Sequence, residues 1–432
     1  MKVAVLGLWH LGSVTAACLA RAGHIVVGWD ADQAALRGLQ SGRAPIAEPG
    51  LDDLLSEGIA AHRLRFTAAV QDAVSDADVV WIAFDTPIDD EDRADDEVVL
   101  GHARAALPHA KDGALVISSS QLQVGSVAQL ERDCGTHATE RRLSFACLPE
   151  NLRLGKALDV FLNPDRVIAG VRNDRDRQRI ATLLAPITDR IVWMSVESAE
   201  MTKHAINAFL ATSVAFINEI AAICETVGAD AKEVEAGLKS DRRIGQTAYL
   251  APGGAFAGGT LARDLVLLER KATAGERQTP LMRGVYASNR EHASWMRRTL
   301  TALFHPLAGR RIAIWGLTYK AGTDTLRRSL SVELCQNLAR EGATVSAFDP
   351  AIPTMPPSLD GVVTLAADPL AAAARADAIV VATEWPTLRA ISADALLQAV
   401  PHPIVIDAGR FLAQTIGADS RVRYIAVGTP RS

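Results

Sequence analysis

Cysteine is scarce in this chain, and its few cysteines form no recognisable pattern. The 432 residues contain five cysteines, without a CxxC pair or the spacing of a metal site. We therefore expect reduced thiols, a cytoplasmic location and no bound metal. The cysteines are Cys18, Cys134, Cys147, Cys224 and Cys335.

An excess of positive charge is also missing. The net charge is −5 and the pI is near 6.1, so nothing indicates a nucleic-acid partner. No apolar run approaches a membrane span, and the chain opens directly into a strand rather than a signal peptide, so no membrane partner is expected. With 49% hydrophobic residues, the chain is long enough for about three domains with sizeable cores.

One glycine is absent from the first motif of the chain. Residues 1–30 read as a strand, a turn, a helix that stops at Gly23, a second strand and Asp30. This order is typical of a dinucleotide-binding unit, in which the helix N-terminus takes the pyrophosphate and the acid takes a ribose hydroxyl. The acid favours NAD over NADP. Trp9 stands where a middle glycine normally lets the backbone approach the cofactor closely. The predicted cofactor residues here are Gly7, Trp9, His10, Leu11, Gly12 and Asp30.

Two further strands are predicted at Val79–Ala83 and Leu115–Ser118, with helical segments between them. Thr86-Pro87 and Ser118–Ser120 follow these strands, at the edge where ligands of parallel sheets collect. A plain loop is the alternative for both segments.

The run Glu200–Glu225 predicts one long helix, since it contains neither glycine nor proline. It is apolar on nearly every face, so we expect it to be buried in a core or an interface. Lys203, Asn207 and Asn218 are spaced to share one face. The lysine either extends to solvent near the start of the helix or is held with the two amides over a ligand.

Two segments, one before and one after this helix in the sequence, contain further candidate residues. Glu150 follows an apolar run and a proline, and is a candidate carboxylate, although a solvated glutamate is the simpler interpretation. The segment Gly253–Asp264 contains four glycines in its first seven residues, which indicates sharp bends or a close approach to a ligand. A flexible loop is the alternative. We expect Asp264 to open the next helix as its N-cap.

A second α/β unit begins near Gly309 and repeats the plan of the first without its glycine motif. The predicted fold is therefore α/β, with two Rossmann-like, doubly wound parallel-sheet domains joined by a helical central domain that carries the long helix. The expected domains are residues 1–195, 196–298 and 299–432. Predicted elements of the last domain are the strands Arg311–Trp315, Thr344–Phe348, Ala378–Ala382 and Ile404–Ile406 and the helix Ser331–Glu341.

The order of these motifs resembles the UDP-glucose/GDP-mannose 6-dehydrogenase family over essentially the whole chain. The runs that carry the resemblance include PIAEPGL at Pro45–Leu51, LPENLRLG, FLNPDRVIAG, SAEMTKHAINAFLATSVAFINEIAAICE, the glycine loop that ends in Asp264, GLTYKAGTDTLRRS and IDAGRFL. The resemblance implies oxidation of a nucleotide sugar at C6 from alcohol to acid, by two NAD-dependent hydride transfers.

The resemblance also implies roles for individual residues. Lys203, Asn207 and Asp264 would surround C6, with Lys203 paired to Asp264, and Glu150 would be the general acid/base. Arg243 would reach the nucleotide end of the substrate across a dimer interface, so a homodimer formed through the central domain is expected. Residues implied at the cofactor are Thr86, Pro87, Gln121 and Arg327, and those implied at the substrate are Asn151, Leu152, Arg243, Phe256, Gly258 and Lys320.

The chain departs from the family where the chemistry is concentrated. Thr260 stands at the position of the cysteine nucleophile, and a threonine hydroxyl has no thiolate form near neutral pH. Gln121 replaces a catalytic threonine, Leu154 replaces a second acid, Asn151 replaces an aromatic residue, and Asp85 replaces a glycine.

These departures affect the second oxidation step, from aldehyde to acid, more than the first. The residues for the first hydride transfer remain, so we predict an NAD-dependent nucleotide-sugar dehydrogenase, acting on a UDP-hexose, that favours a two-electron oxidation. Three alternatives stay open: a four-electron UDP-glucose 6-dehydrogenase that uses Thr260 or an aldehyde hydrate, a redox-neutral enzyme that keeps NAD bound, and a non-catalytic nucleotide-sugar-binding protein.

Overall fold

The computed structural model describes residues 1–89, 93–257 and 259–430. The chain divides into two compact units, Met1–Ile206 and Asn207–Ser432, and the division falls within one long helix.

The first unit is built on an eight-stranded sheet in the order β3-β2-β1-β4-β5-β6-β7-β8. Its neighbouring strands pair in parallel except β6 and β7, which pair antiparallel. The strands β1 to β8 are Lys2–Leu6, Ile25–Trp29, Leu64–Thr67, Val79–Ile82, Leu115–Ser118, Ser144–Cys147, Val167–Gly170 and Ile191–Met194. The helices α1 to α8 are His10–Arg21, Gln33–Gln40, Leu51–Ala60, Val70–Val74, Asp96–Ala106, Ser126–Glu140, Ala157–Leu162 and Asp174–Leu184, and a 3₁₀ turn spans Leu107–His109.

Both faces of this sheet are covered. Along β1, Val3 and Val5 belong to one buried apolar cluster, whereas Ala4 and Leu6 belong to another. Alternate residues of a strand point to opposite faces, so an almost continuously apolar strand suits a sheet with helices on both sides.

The second unit contains a six-stranded sheet, parallel throughout, in the order β11-β10-β9-β12-β13-β14. The strands β9 to β14 are Arg311–Trp315, Thr344–Phe348, Val363–Leu365, Ala378–Val381, Ile404–Asp407 and Arg423–Ile425. The helices α9 to α16 are Val196–Val227, which begins in the first unit, and Ala231–Ser240, Thr260–Ala274, Pro280–Ala293, Trp295–Leu303, Leu330–Arg340, Pro369–Ala373 and Ala393–Ala399. Its 3₁₀ turns are Pro357–Leu359, Pro386–Ala390 and Ile416–Ala418.

These two sheets and the long helix confirm the predicted fold class. The helix α9 has 32 residues and is longer than predicted by a few residues at each end. Ser195 Oγ accepts a hydrogen bond from the Ser198 amide at 3.3 Å, and Gly228, with φ of +78°, follows the last turn. The two ends therefore carry a serine cap and a glycine stop, which are common signals of helix boundaries.

By length and composition alone, α9 is apolar enough to cross a membrane. The expectation that no apolar run approaches a membrane span is therefore wrong for this helix. Its polar side chains nevertheless bond to the protein: Glu200 accepts from the Gly125 amide at 2.6 Å, and Asn218 accepts from the Gly253 amide at 3.0 Å. A core helix that buries such groups needs these partners.

Candidate functional site

The turn between β1 and α1 has the shape that the sequence predicts. Gly7 has φ of +87°, and a Cβ placed there would lie 2.5 Å from the Phe84 ring. A Cβ on Gly12 would lie 1.6 Å from the Gly7 carbonyl oxygen, so neither glycine can be replaced without movement of the backbone. Trp9 has φ of −71° and ψ of −145°, so it does not adopt the left-handed conformation that favours glycine, and its side chain is 50% exposed. The backbone at position 9 therefore does not itself demand glycine.

Asp30 lies beside this turn, directly after β2. Its carboxylate accepts from the Leu8 amide at 2.7 Å and from the Asp32 amide at 2.9 Å. The first turn of α1 carries no side-chain cap, so its amide groups can meet an anion. A half-buried acid, an uncapped helix start and a glycine with positive φ fit NAD, which accepts a hydride when bound.

The loops after β4 and β5 meet as predicted at the carboxyl edge of the sheet. Thr86 is buried, and its hydroxyl donates to the Gln121 carbonyl oxygen at 2.9 Å. Thr86, Pro87 and Gln121 therefore belong to one edge of the first unit, whereas Arg327 is exposed on the loop between β9 and α14 of the second unit.

A small polar cavity of about 20 Å³ lies in the first unit. Glu150, Lys203, Ser120 and Cys147 contribute to its lining. Lys203 is 8% exposed, and its Nζ lies 3.8 Å from Glu150 Oε1. Ser120 Oγ is buried and has no hydrogen-bond partner among the described residues. The volume is enough for about one water molecule, and three polar groups are available to hold it.

The position of Lys203 is fixed by its neighbours on α9. Glu200 accepts from the Gly125 amide at 2.6 Å and from the Val127 amide at 2.9 Å, which joins α9 to the start of α6. Burial raises the pKa of the Glu200 carboxyl. His204 Nε2 lies 2.9 Å from the Leu122 carbonyl oxygen. Sequence reasoning missed Glu200, although an acid three residues before Lys203 on one helix face was a usable signal.

In the second unit, α9 contributes Asn207 to a buried pair. Asn207 Nδ2 donates to Asp264 Oδ2 at 2.6 Å, and Asp264 is completely buried. The expectation that Asp264 is an N-cap is wrong, because α11 begins at Thr260 and Asp264 lies one turn inside it. Gly259, with φ of +108°, is the N-cap and has no side chain to mark the boundary. The pairing of Lys203 with Asp264 would join the two units and stays a prediction.

A larger cavity of about 340 Å³ lies in the second unit. It brings together Phe256, Thr260 and Lys320 from the sequence prediction with the aromatic residues Tyr249 and Tyr319. Gly258 lies outside the described residues. A cationic side chain and several aromatic rings around a cavity of this size suit an anionic ligand with a planar group.

The glycine-rich loop is held by side chains from two helices. On α12, Asn289 accepts from the Phe256 amide at 2.9 Å and donates to its carbonyl at 2.7 Å, and His292 Nε2 lies 2.8 Å from the Gly253 carbonyl oxygen. On α9, Asn218 accepts from the Gly253 amide. Sequence reasoning noticed Asn218 but missed Asn289 and His292. Their only signal in the sequence is that they are two polar residues three positions apart on α12.

Of the remaining predicted substrate residues, Asn151 and Leu152 belong to the first unit and Arg243 belongs to the second. Asn151 and Leu152 are half-buried in the segment after Glu150, where the Leu152 amide donates to Glu150 Oε2 at 2.5 Å. Arg243 is an exposed side chain that pairs with Asp241 at 2.6 Å. It therefore stands at the surface of this chain.

All five cysteines are buried and free of disulfides. Burial raises the pKa of Cys18 and of Cys335 to about 12, and raises the pKa of Cys134 and Cys147 as well. The described lining of the larger cavity contains no cysteine. Among the described residues, no group of three or more His, Cys, Asp or Glu side chains is arranged to hold a metal ion.

The glycine turn, the acid that follows β2 and the two Rossmann-like sheets define an α/β protein of the dinucleotide-binding class. Family models agree with this class along the chain. The UDP-glucose/GDP-mannose dehydrogenase family matches through its NAD binding domain at residues 1–188, its central domain at residues 197–291 and its UDP binding domain at residues 313–414. The chain belongs to the UDP-glucose/GDP-mannose dehydrogenase family.

Individual relatives agree over the full length. The UDP-glucose 6-dehydrogenase of Pseudomonas aeruginosa is 34% identical, over 100% of this chain and 98% of that protein. That of Rhizobium meliloti is 33% identical, over 100% of both proteins. The structure of a UDP-glucose dehydrogenase from Pyrobaculum islandicum superposes with a TM-score of 0.89 at 28% identity, over 99% of this chain and 98% of that one. The chain is thus an NAD-dependent oxidoreductase of the nucleotide-sugar class.

Proposed function

We propose that this enzyme oxidises a UDP-hexose at C6 and passes the hydride to NAD. The relatives named above are UDP-glucose dehydrogenases, which supports UDP-glucose as the first substrate to test. In this proposal the larger cavity takes the nucleotide sugar. Lys320 meets its phosphates, and Phe256 lines its path. Asn151, Leu152 and Gly258, which the family resemblance implies at the substrate, are proposed as further substrate contacts.

Three buried polar side chains act at C6 in this proposal. Lys203 supplies a positive charge for the oxygen that becomes an alkoxide as the hydride leaves, and Asn207 supplies an amide donor. Asp264 orients Asn207 through their 2.6 Å hydrogen bond. Glu150, 3.8 Å from the Lys203 ammonium, takes up or returns the proton.

We further propose that the oxidation stops at the two-electron stage. The observation that carries this proposal is the absence of an available thiolate: the five cysteines are buried, and Thr260 lines the larger cavity instead. Without a thiolate the C6 aldehyde forms no thiohemiacetal, and the second hydride transfer loses its usual donor. Oxidation through the aldehyde hydrate is the competing route to acid.

The test is the number of NADH molecules released per nucleotide sugar consumed, with UDP-glucose, NAD and an aldehyde trap present. One NADH with trapped aldehyde supports the two-electron proposal. Two NADH with acid as the product overturns it and favours the four-electron enzyme. NAD that copurifies while no NADH accumulates points to redox-neutral chemistry. Saturable binding without any turnover, across a panel of nucleotide sugars, points to a non-catalytic protein.

We also propose that the enzyme is a cytoplasmic homodimer formed through residues 196–298, the central one of the three proposed domains. An exposed apolar stripe on α9, which includes Phe209 and Val227 at 70% and 69% exposure, supports this. In the dimer, the exposed Arg243 of one subunit would serve the substrate of the other.

A further inference from the structure

The loop between α2 and α3 contains a buried carboxylate, Glu48, that no step of the proposed chemistry uses. Its side chain is almost fully buried, although the residues on either side, Ala47 and Pro49, are exposed. A buried charge requires several hydrogen-bond partners. The partners of Glu48 come from two segments that are distant in sequence.

One partner is the cofactor turn. His10, the first residue of α1, places Nε2 2.9 Å from Glu48 Oε2. An ionised carboxylate only accepts hydrogen bonds, so the imidazole donates. Glu48 therefore fixes the ring of a residue that lies between the two glycines of the nucleotide-binding turn.

The other partners lie in the segment that follows Glu150. The Gly155 amide donates to Glu48 Oε2 at 2.8 Å, and the Ala157 amide donates to Glu48 Oε1 at 2.9 Å. Ala157 is the first residue of α7, so the carboxylate satisfies an amide that the helix itself leaves open. Both carboxylate oxygens of Glu48 thus accept hydrogen bonds from this segment, and Oε2 also accepts one from His10.

We propose that Glu48 is a positioning residue that couples the NAD-binding turn to the Glu150 segment. The carboxylate holds His10 and the start of α7 at one point, so a cofactor that orders the turn also orders residues 150–157. Charge is essential to this arrangement. A glutamine would present an N–H group to one of three donors, because only one of its two terminal atoms accepts. This role rests on the proposed function of Glu150.

The test uses hydrogen exchange of the full-length protein with and without NAD. In the wild type we expect NAD to slow exchange of the Gly155 and Ala157 amides by roughly tenfold, the size of a hydrogen bond to a charged group. Glu48→Gln should abolish this NAD-dependent protection and weaken NAD binding in calorimetry by a similar factor.

A second variant, His10→Ala, should also abolish the NAD-dependent protection, although Glu48 still holds the start of α7. This variant keeps the test valid if Glu48→Gln does not fold. Glu57→Gln, which removes an exposed partner of Arg21, is the control that should behave as wild type.

Two results would overturn the coupling. One is NAD-dependent protection at Gly155 and Ala157 that survives in both variants, which would mean that NAD contacts the segment directly. The other is an absence of such protection in the wild type despite saturation with NAD. Neither measurement requires turnover, so a failure of the proposed oxidation would appear separately, as missing NADH. If turnover is present, Glu48→Gln should raise KM for NAD more than it lowers kcat, whereas a purely structural role would lower only the melting temperature.

Discussion

Thr260 occupies the first turn of α11, a place where a thiol would ionise readily. Its N-cap, Gly259, has no side chain to satisfy the open amides, and the partial positive charge of a helix N-terminus stabilises a thiolate. The position therefore still suits a nucleophile, although the hydroxyl that occupies it is a poor one.

Thr260→Cys should restore the second oxidation. The thiolate would add to the C6 aldehyde, hydride transfer to NAD would give a thioester, and water would release the acid and the thiol. We expect NADH per sugar to rise from one towards two and trapped aldehyde to disappear. Thr260→Ser is the matched control and should keep one NADH per sugar. An unchanged ratio in Thr260→Cys would show that this position is not the one that captures the aldehyde.

Lys203→Met should separate catalysis from binding. The substitution keeps much of the side-chain volume but removes the charge beside Glu150, so kcat should fall by roughly 10²–10³-fold, as when one oxyanion donor is lost. NAD affinity measured by calorimetry should stay close to that of the wild type. Lys232→Met, at a largely exposed lysine that pairs with Glu235, should leave kcat unchanged. Full activity in Lys203→Met would remove Lys203 from the chemistry.

At the scale of elements, the most predictable features were those with strong local signals. The helix α9 has no glycine or proline inside it, and β1, β2 and β9 are apolar runs followed by a glycine or an acid, so their positions were anticipated within a few residues. The second α/β unit, which begins near Gly309, was also predicted. In it, Asp349 accepts from the amides of Leu317 and Thr318 at 2.7 and 2.9 Å and is buried.

Other elements left no such signal. The strands β7 and β8 were not predicted, and the antiparallel pairing of β7 with β6 depends on contacts that local propensity does not encode. The start of α11 was misplaced because Gly259 caps it without a polar side chain. Glu48 could not be assigned because all its partners are distant in sequence: two are backbone amides and the third is His10.

The glycine-rich loop should loosen at low pH through His292. Burial lowers the pKa of this imidazole, and Arg298 lowers it further, whereas the carbonyl of Gly253, Glu291 and Glu225 act in the opposite direction. With a folded pKa below the ordinary value, the unfolded chain binds the proton more tightly. The contribution of neutral His292 to folding stability is therefore complete above the ordinary pKa of 6.5. It is lost as the pH falls below that value and through the folded pKa.

We therefore expect the melting temperature of the wild type to fall more steeply than that of His292→Gln as the pH is lowered from about 7 to 5, a window set by the ordinary histidine pKa. KM for the nucleotide sugar should rise over the same interval, because His292 lines the larger cavity and holds the loop. His402→Gln, at an exposed histidine, should follow the wild type. Identical slopes for the wild type and His292→Gln would mean that protonation of His292 does not destabilise the fold.

At the scale of the whole molecule, α9 presents large apolar side chains that the part of the chain described by the structure leaves exposed. Phe209, Phe216 and Ile223 are seven residues apart and exposed, and Val227 continues the stripe one turn later. Residues at this spacing lie on one face of a helix and pack well against a second helix. A stripe of large apolar side chains along a 32-residue helix is costly to leave in water, and a second copy of the same face is a suitable cover.

Replacing this stripe should therefore change the oligomeric state. The wild type should sediment as a dimer at micromolar concentration, and the double variant Phe209→Glu/Phe216→Glu should sediment as a monomer, because two pairs of carboxylates would be buried without partners. Val98→Glu changes an exposed valine on α5 and should leave the dimer intact. If Arg243 serves the partner's site, the monomeric variant should also lose affinity for the nucleotide sugar while it keeps NAD binding. A wild type that sediments as a monomer, or a double variant that remains a dimer, would place the interface elsewhere or remove it.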